Sequence, residues 1–344
     1  MEPNKRIMCN PYSTFEEKAK DFSWKRVNTI EELENLVMEL KKCNSKRFRG
    51  VSESKYHMLT SLQRQCPDGI TNKEYMHGLL AQIKGDADVR KFFETHSITI
   101  NDLSCISLMQ HMGLPTPFLD FTIDVNIALA FAADGADRNE KKTAIDDYCS
   151  LYYFDLEKEM EIQNSKIQEI LRDGISKCNQ MCNEHYKAYP NDIINKSNLE
   201  ELDKYIKWDD LANIQLAYVE YQDIAPLVCT FSSQILDLTN PNLAKQKGGF
   251  VINLYKDETP LEENWNMRTS ERRNKILSNC SSLPFSGIYT YHQIGCVDIK
   301  KDVILEWNKR NPIELYDTSQ ETEKLKEMLS TIKDSYEKPY LCSK

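Results

Sequence analysis

Residues 110–122 read QHMGLPTPFLDFT, and residues 123–132 continue as IDVNIALAFA. Gly113 can adopt the left-handed conformation that ends a helix, and the two prolines that follow prevent the helix from continuing. The next residues, Phe118 to Phe121, are apolar except for one carboxylate, which predicts a short buried strand. This part of the chain therefore predicts a helix, a tight turn and a strand in direct succession.

The carboxylate in this predicted strand belongs to Asp120. A charge in an otherwise buried run needs a polar partner. After the strand, Thr122 or Asp124 can cap a second helix by accepting a hydrogen bond from a backbone N–H. That helix has alanines at 128, 130, 132 and 133, which keep it slim. We expect it to lie close against a sheet.

Length, charge and apolar content limit which kinds of protein this chain can be. The chain has 344 residues and a formal net charge of -9, and an acidic surface disfavours binding to nucleic-acid backbones. The N-terminus lacks the apolar core of a signal peptide, and no run of about 18 apolar residues occurs. We therefore expect a cytoplasmic protein that does not bind membranes.

Cysteines give no sign of a disulfide framework or a metal site. The 11 cysteines are scattered and odd in number, which favours reduced thiols. Cys178 and Cys182, with His185 nearby, have the spacing of metal ligands on one helix. No second Cys/His pair accompanies them, so we expect no metal.

The remaining chain alternates predicted helices and strands. Capping boxes begin helices at Thr29 and Thr71, and a third helix leads from Asn101 or Asp102 to His111. Further strands are predicted over 47–51, 150–156, 226–231, 249–255 and 287–292, and helices over 301–310 and 321–332.

This order predicts an α+β fold in which a central mixed or antiparallel sheet, built from residues far apart in sequence, is flanked by helices. We expect an N-terminal arm over 1–28 that is irregular, an α+β domain over 29–315, and a C-terminal helix and tail over 316–344. Residues 157–207 are rich in Glu, Lys, Asn and Gln. They predict a polar, partly helical insertion in the α+β domain.

The predicted strand at 47–51 contains Phe48-Arg49-Gly50. From this context alone, a salt bridge at a sheet edge is the simpler interpretation of Arg49. However, the tripeptide and the stretch at 110–132 together resemble the FRG domain family, which is named for the tripeptide. The resemblance is carried by Phe48, Arg49, Gly50, Gln110, His111, Gly113, Pro115, Thr116, Leu119, Asp120, Thr122, Ala128, Phe131 and Ala132, and more thinly by Gln246, Gly248 or Gly249, and Phe250.

The chain departs from the family at two positions. Pro117 stands where the family usually has a basic residue, and no arginine precedes Gln246. The resemblance is specific from about residue 47 to 133.

Polar residues on three predicted strands also resemble the layout of ADP-ribosyltransferases. In that superfamily, the resemblance implies, an Arg holds the phosphates and ribose of NAD, a hydroxyl residue supports the site, and a Glu binds a ribose hydroxyl. The corresponding residues are Arg49, Thr122 and Gln246. Because Gln246 lacks the negative charge of Glu, Asp120 or Glu220 would supply the carboxylate.

The chemistry of that reaction suits these residue types. Breaking the nicotinamide–ribose bond develops positive charge on the ribose, which a nearby carboxylate stabilises. A guanidinium matches diphosphate oxygens bidentately, which Lys cannot do.

We therefore predict a site that binds NAD as a substrate and transfers or hydrolyses ADP-ribose. The candidate catalytic residues are Arg49, His111, Asp120 and Gln246, and the candidate binding residues are Arg49, Gly50, Gln110, Thr116 and Thr122. The expected partners are a nucleotide ligand and a protein or other macromolecular acceptor. The resemblance implies a role as a bacterial toxin or phage-defence effector.

Two alternatives stay open. In the first, Arg49, His111 and Asp120 form a buried ion-pair network in a non-catalytic sensing or interaction module. In the second, a Cys or Ser nucleophile acts with His111. Cys105 lies six residues before His111 on the same predicted helix, whereas helical neighbours are three or four residues apart. No serine lies in a Gly-x-Ser-x-Gly turn.

Overall fold

The computed structural model describes residues 10–98, 100–137, 143–156, 227–229, 245–253, 259–263, 265–266, 293–316 and 320–341. The helices in these ranges are α1 (Phe15–Lys18), α2 (Ile30–Leu40), α3 (Ser61–Gln65), α4 (Asn72–Gly85), α5 (Ala87–Thr95), α6 (Asp102–His111), α7 (Val125–Ala133), α8 (Lys301–Arg310) and α9 (Gln320–Leu341), with a 3-10 helix at Ala144–Asp147. The strands are β1 (Ser23–Val27), β2 (Lys46–Val51), β3 (Phe118–Thr122), β4 (Tyr148–Asp155), β5 (Leu227–Cys229), β6 (Gly248–Ile252) and β7 (Gly295–Lys300).

These strands form one mixed sheet in the order β1-β7-β4-β2-β3-β6-β5. β1 runs parallel to β7, and the other neighbouring strands are antiparallel. The predicted α+β class with a central mixed sheet is confirmed. The sheet joins strands from both ends of the chain, which places residues far apart in sequence side by side.

Hydrophobic clusters cover the sheet. Residues of α2, α7 and α8 pack with Phe48, Leu151 and Val297, and residues of α4, α6 and α9 pack with Phe118 and Phe250. The alternate residues of the strands belong to a separate cluster, which also contains Phe15, Phe22 and Trp265. Its strand residues include Leu119, Phe121, Tyr152, Phe154, Val251 and Cys296. Because side chains alternate along a strand, this cluster lies on the opposite face.

Local signals in the sequence predicted several elements correctly. Thr29 and Thr71 form the expected capping boxes, and Gly113 has a φ of 76° at the end of α6. Of the two candidate caps for α7, Asp124 is the one whose side chain accepts a hydrogen bond from the Asn126 N–H.

Two expectations are wrong. The irregular stretch expected over 1–28 contains α1 and the edge strand β1, and both Phe15 and Phe22 are buried. No strand was expected at Gly295–Lys300, yet β7 lies between β1 and β4. β7 is short and contains the charged Asp298, whose partner Lys18 is 280 residues away in the sequence.

Other expectations fall outside the described residues. They are the insertion at 157–207, the candidate carboxylate Glu220, the strand at 287–292 and the metal spacing of Cys178, Cys182 and His185. The predicted helix at 321–332 extends to Leu341 as α9. The division of the chain into domains stays a prediction. Among the described helices, none has the length and apolar character needed to cross a membrane.

A partly buried histidine–carboxylate pair contacts the N-terminal segment through the Asn10 carbonyl oxygen. His57 Nδ1 lies 2.7 Å from Glu262 Oε1, and His57 Nε2 lies 3.1 Å from the Asn10 carbonyl oxygen. Burial opposes the charged imidazole, but the hydrogen bond to Glu262 and its negative charge outweigh burial and raise the pKa of His57. The protonated form of His57 is therefore more favourable in the folded protein than in a free imidazole.

This pair predicts a pH-dependent contribution to stability. Because the pKa of His57 is higher in the folded than in the unfolded chain, the contribution is complete below the unfolded pKa and is lost as pH rises through the folded pKa. We expect His57→Gln to lower the free energy of unfolding more at about pH 5.5 than at about pH 8.5. Urea unfolding of both proteins at the two pH values measures this, and equal losses would contradict it.

Candidate functional site

The sheet opens between β2 and β3. These neighbours share one register pair, Phe48 with Thr122. β2 pairs with β4 along its whole length from Lys46 to Val51, and β3 pairs with β6 from Phe118 to Thr122. The short ladder leaves a space at the middle of the sheet.

A cleft of about 140 Å³ lies at this opening. Its lining comes from β2, β3, α7 and the start of β6, and consists of Phe48, Arg49, Gly50, Asp120, Phe121, Thr122, Phe131, Gln246 and Gly248. Five of the predicted site residues, Arg49, Gly50, Asp120, Thr122 and Gln246, therefore meet in one place. A cavity of similar volume holds a single benzene-sized ring.

Arg49 reaches across the opening. Its Nη1 donates a hydrogen bond to the Asp120 carbonyl oxygen at 2.8 Å and lies 3.8 Å from Asp120 Oδ2. The Arg49 Nε has no hydrogen-bond partner among the described residues. Burial lowers the pKa of Arg49 and Asp120 partly offsets this, but a guanidinium stays charged in proteins. The side chain is 21% exposed, so the charge is fixed but still reachable by a ligand.

Asp120 is held by Gln110 of α6, and Gln110 is in turn held by Thr116 of the turn before β3. Gln110 Nε2 donates to both Asp120 carboxylate oxygens, at 2.9 and 2.8 Å. The Thr116 hydroxyl donates to Gln110 Oε1 and accepts from the Phe118 N–H. This chain of bonds fixes the orientation of the Gln110 amide. The Asp120 side chain is nevertheless 45% exposed, so its carboxylate is oriented without being buried.

Gln110 and Thr116 were predicted to bind the ligand directly. Neither is among the residues that line the cleft, and Thr116 is fully buried. Their contacts position the Asp120 carboxylate. The expectation that Asp120 needs a polar partner is met by Gln110 and Arg49.

Thr122 and Gln246 form the far side of the cleft. The Thr122 hydroxyl donates to the Gln246 carbonyl oxygen at 2.7 Å and accepts from the Asp124 N–H. Gln246 Nε2 donates to the Leu315 carbonyl oxygen at 2.7 Å. The Gln246 side-chain oxygen is then the atom that can accept a hydrogen bond from a ligand.

Gly50 lets a helix approach the sheet. A Cβ on Gly50 would lie 1.7 Å from the Ala128 carbonyl oxygen and 2.7 Å from the Ala132 nitrogen. α7 therefore rests directly on β2, as its alanines predicted. The glycine serves backbone packing beside the cleft.

His111 and Cys105 do not line the cleft. His111 is the last residue of α6. Burial raises the pKa of Cys105 to about 12, so its sulfur is a thiol and a poor nucleophile near neutral pH. These observations disfavour a Cys105–His111 nucleophile pair.

Two parts of the site were missed by the sequence analysis. The apolar wall of Phe121 and Phe131 could have been found from their position in and after the strand at 118–122. The contact of Gln246 with Leu315 joins residues 69 apart in sequence and has no local signal. In the part of the chain that the structure describes, no three His, Cys, Asp or Glu side chains come together as a metal site.

The sequence model of the FRG domain matches residues 44–141. The chain therefore contains an FRG domain over these residues. The FRG domain here spans β2 to α7 and carries Arg49, Gly50, Gln110, His111, Thr116, Asp120 and Thr122, whereas Gln246 lies outside it. No curated protein and no solved structure matches the chain. The likeness to ADP-ribosyltransferases stays a prediction.

Proposed function

We propose that the cleft between β2 and β3 binds NAD or a related nucleotide, and that the protein transfers or hydrolyses its ADP-ribose. The observation that supports this most is the position of Arg49. Its guanidinium lies in the same cleft as the Asp120 carboxylate and the Gln246 amide. Its Nε has no hydrogen-bond partner among the described residues.

Arg49 would hold the diphosphate of the ligand. A guanidinium bonds phosphate oxygens through two parallel N–H groups. Only Nη1 of Arg49 bonds a described residue, through the Asp120 carbonyl oxygen, so other N–H groups can turn to the ligand. The bond to Asp120 keeps the side chain in place before the ligand arrives.

Asp120 would stabilise the transition state. When the bond between nicotinamide and ribose breaks, its electron pair leaves with nicotinamide and positive charge develops on the ribose. A carboxylate held in place before reaction stabilises that charge. Gln110 holds the Asp120 carboxylate through both oxygens, which is the required preorganisation.

Gln246 would recognise a ribose hydroxyl. Its Nε2 already donates to the Leu315 carbonyl oxygen, so its side-chain oxygen would accept a hydrogen bond from the ribose hydroxyl. The ring-sized volume of the cleft suits the nicotinamide end of NAD. The remainder of the dinucleotide would lie outside, beyond Arg49.

The test of this proposal is release of nicotinamide from NAD. Purified protein is incubated with NAD, with and without cell lysate as a source of acceptor, and free nicotinamide is followed by chromatography. We expect release by the unaltered protein and a loss of about a hundredfold or more in Arg49→Ala, because the diphosphate loses its anchor. Arg49→Lys keeps the charge without the planar geometry and should recover only part of the rate.

An unchanged rate in Arg49→Ala, or no release by the unaltered protein in either condition, would refute the proposal. Thermal unfolding of the same variants tests the alternative of a structural network in a non-catalytic module. Because the Asp120 side chain is 45% exposed, water can solvate it after Arg49 is removed. We expect a loss of stability within about 1 kcal/mol, whereas a buried network would lose about 3–5 kcal/mol.

The cellular setting is part of the same proposal. A macromolecular acceptor of ADP-ribose and a role as a toxin or phage-defence effector follow from the family resemblance, and a cytoplasmic location was expected from the sequence. Lysate-dependent release of nicotinamide would point to an acceptor in the lysate. Release by the purified protein alone would point to water.

A further inference from the structure

A second arginine lies on the helix that is bonded to the turn before β3. Arg64 is on α3, three residues after Ser61. The Ser61 hydroxyl accepts a hydrogen bond from the Thr116 N–H at 3.0 Å, and the Leu62 N–H donates to the Thr116 carbonyl oxygen at 3.0 Å. α3 is therefore fixed to the turn whose Thr116 hydroxyl bonds Gln110.

The geometry of α3 directs Arg64 toward the same side. Residues three apart lie on one face of a helix, so Arg64 shares the face on which Ser61 contacts Thr116. The opposite anchor of α3 is the buried Gln63, whose Nε2 donates to the Thr259 carbonyl oxygen at 2.7 Å. These contacts fix α3, and with it the backbone of Arg64, beside the Thr116–Gln110–Asp120 hydrogen bonds.

The electrostatic surroundings of Arg64 agree with this placement. Burial lowers the pKa of Arg64, and the positive charge of Arg49 lowers it further. Arg64 is exposed to solvent, so a ligand in solution can reach it.

The lysines on the other side of the cleft differ from this pair. Lys247 Nζ lies 2.8 Å from Asp124 Oδ2, and Lys245 Nζ lies 3.2 Å from Glu314 Oε2. Their charges are balanced. The chain has a net charge of -9. Arg49 and Arg64, with Asp120 as the carboxylate beside Arg49, nevertheless give this region a local excess of positive charge, which favours an anion.

We propose that Arg64 and Arg49 together hold two adjacent phosphate groups, so that the ligand of this cleft is a diphosphate ester. The inference rests on the proposed function for the identity of the whole ligand. It adds that recognition requires the diphosphate, and that Arg64 is the residue that distinguishes a diphosphate from a monophosphate. Arg49 lines the cleft and would bond the phosphate nearer the ring, while Arg64 would bond the outer one.

The experiment uses inorganic pyrophosphate and inorganic phosphate as probes, titrated calorimetrically into the full chain at low ionic strength. We expect pyrophosphate to bind more tightly than phosphate. Arg64→Gln should weaken pyrophosphate binding by about tenfold or more, with a smaller effect on phosphate. Arg90→Gln, which removes an exposed arginine of α5, is the charge-matched control and should leave both affinities unchanged.

Equal pyrophosphate affinity in the unaltered protein and Arg64→Gln would overturn the inference. So would an equal loss in Arg90→Gln, or no pyrophosphate binding by the unaltered protein. If Arg64→Gln unfolds, Arg64→Lys replaces it and should bind pyrophosphate with intermediate affinity. Pyrophosphate has no nicotinamide bond, so its binding can succeed where nicotinamide release fails, and the two proposals are tested separately.

Discussion

Lys18→Met is expected to lower the free energy of unfolding by about 3–5 kcal/mol, because it leaves a buried carboxylate without its cation. Lys18 Nζ lies 2.6 Å from Asp298 Oδ1, and both side chains are fully buried. The same nitrogen lies 2.7 Å from the Ser150 hydroxyl and donates to the Ser54 carbonyl oxygen at 2.8 Å. One cation therefore joins α1, β4, β7 and the segment after β2.

The remaining partners of Asp298 cannot replace Lys18. Trp24 Nε1 and the Ser150 hydroxyl each donate to the carboxylate at 2.7 Å, but neither carries a charge. Without Lys18, Asp298 must stay ionised in the core or take up a proton, and both states are unfavourable.

Urea unfolding measures this loss. Lys25→Met is the control, since Lys25 forms an exposed pair with Glu39 at 3.6 Å and should change stability by at most about 1 kcal/mol. A loss in Lys18→Met no larger than that of the control would contradict the assigned role of the buried pair. Replacing both partners, as Lys18→Met with Asp298→Leu, should be less harmful than Lys18→Met alone.

Gly50→Ala is expected to destabilise the protein by about 3 kcal/mol, the upper part of the usual range for overpacking. The added methyl group would meet the backbone of α7, at 1.7 Å from the Ala128 carbonyl oxygen. Backbone atoms cannot rotate away as a side chain can. Either α7 or β2 must shift, and these elements carry Phe131 and Arg49 into the cleft.

Gly85→Ala provides the matched control. A Cβ on Gly85 meets nothing within 4 Å, so this substitution should be neutral or stabilise by about 0.4–1 kcal/mol. Thermal unfolding of the two variants tests the difference. If Gly50→Ala kept full stability and lost only nicotinamide release, Gly50 would serve ligand approach rather than helix packing.

Local sequence patterns predicted α2, α4 and α6 because their signals lie within a few residues of each helix. Thr29 and Thr71 cap the first turn of α2 and α4, and Gly113 ends α6. The alanines of α7 likewise predicted close packing on the sheet. In each case the residues that determine the element are neighbours in the chain.

Local sequence patterns did not predict the strands β1 and β7. β7 contains Asp298, which looks unsuitable for a central strand until Lys18 is placed beside it, 280 residues away. β1 is a strand because it finds β7 as a parallel partner at the edge of the sheet. Pairing between distant segments cannot be read from either segment alone.

The same division applies to the candidate site. The sequence by itself determined which residue types are present: Arg49, Asp120, Thr122 and Gln246 in apolar surroundings, with glycine and alanine where β2 and α7 touch. Only the tertiary structure decided that Gln110 and Thr116 orient Asp120, that Leu315 orients Gln246, and that α3, which carries Arg64, is bonded to Thr116. Secondary structure follows from interactions within a few residues, whereas hydrogen-bond partners and local charge depend on which distant segments the sheet and its helices bring together.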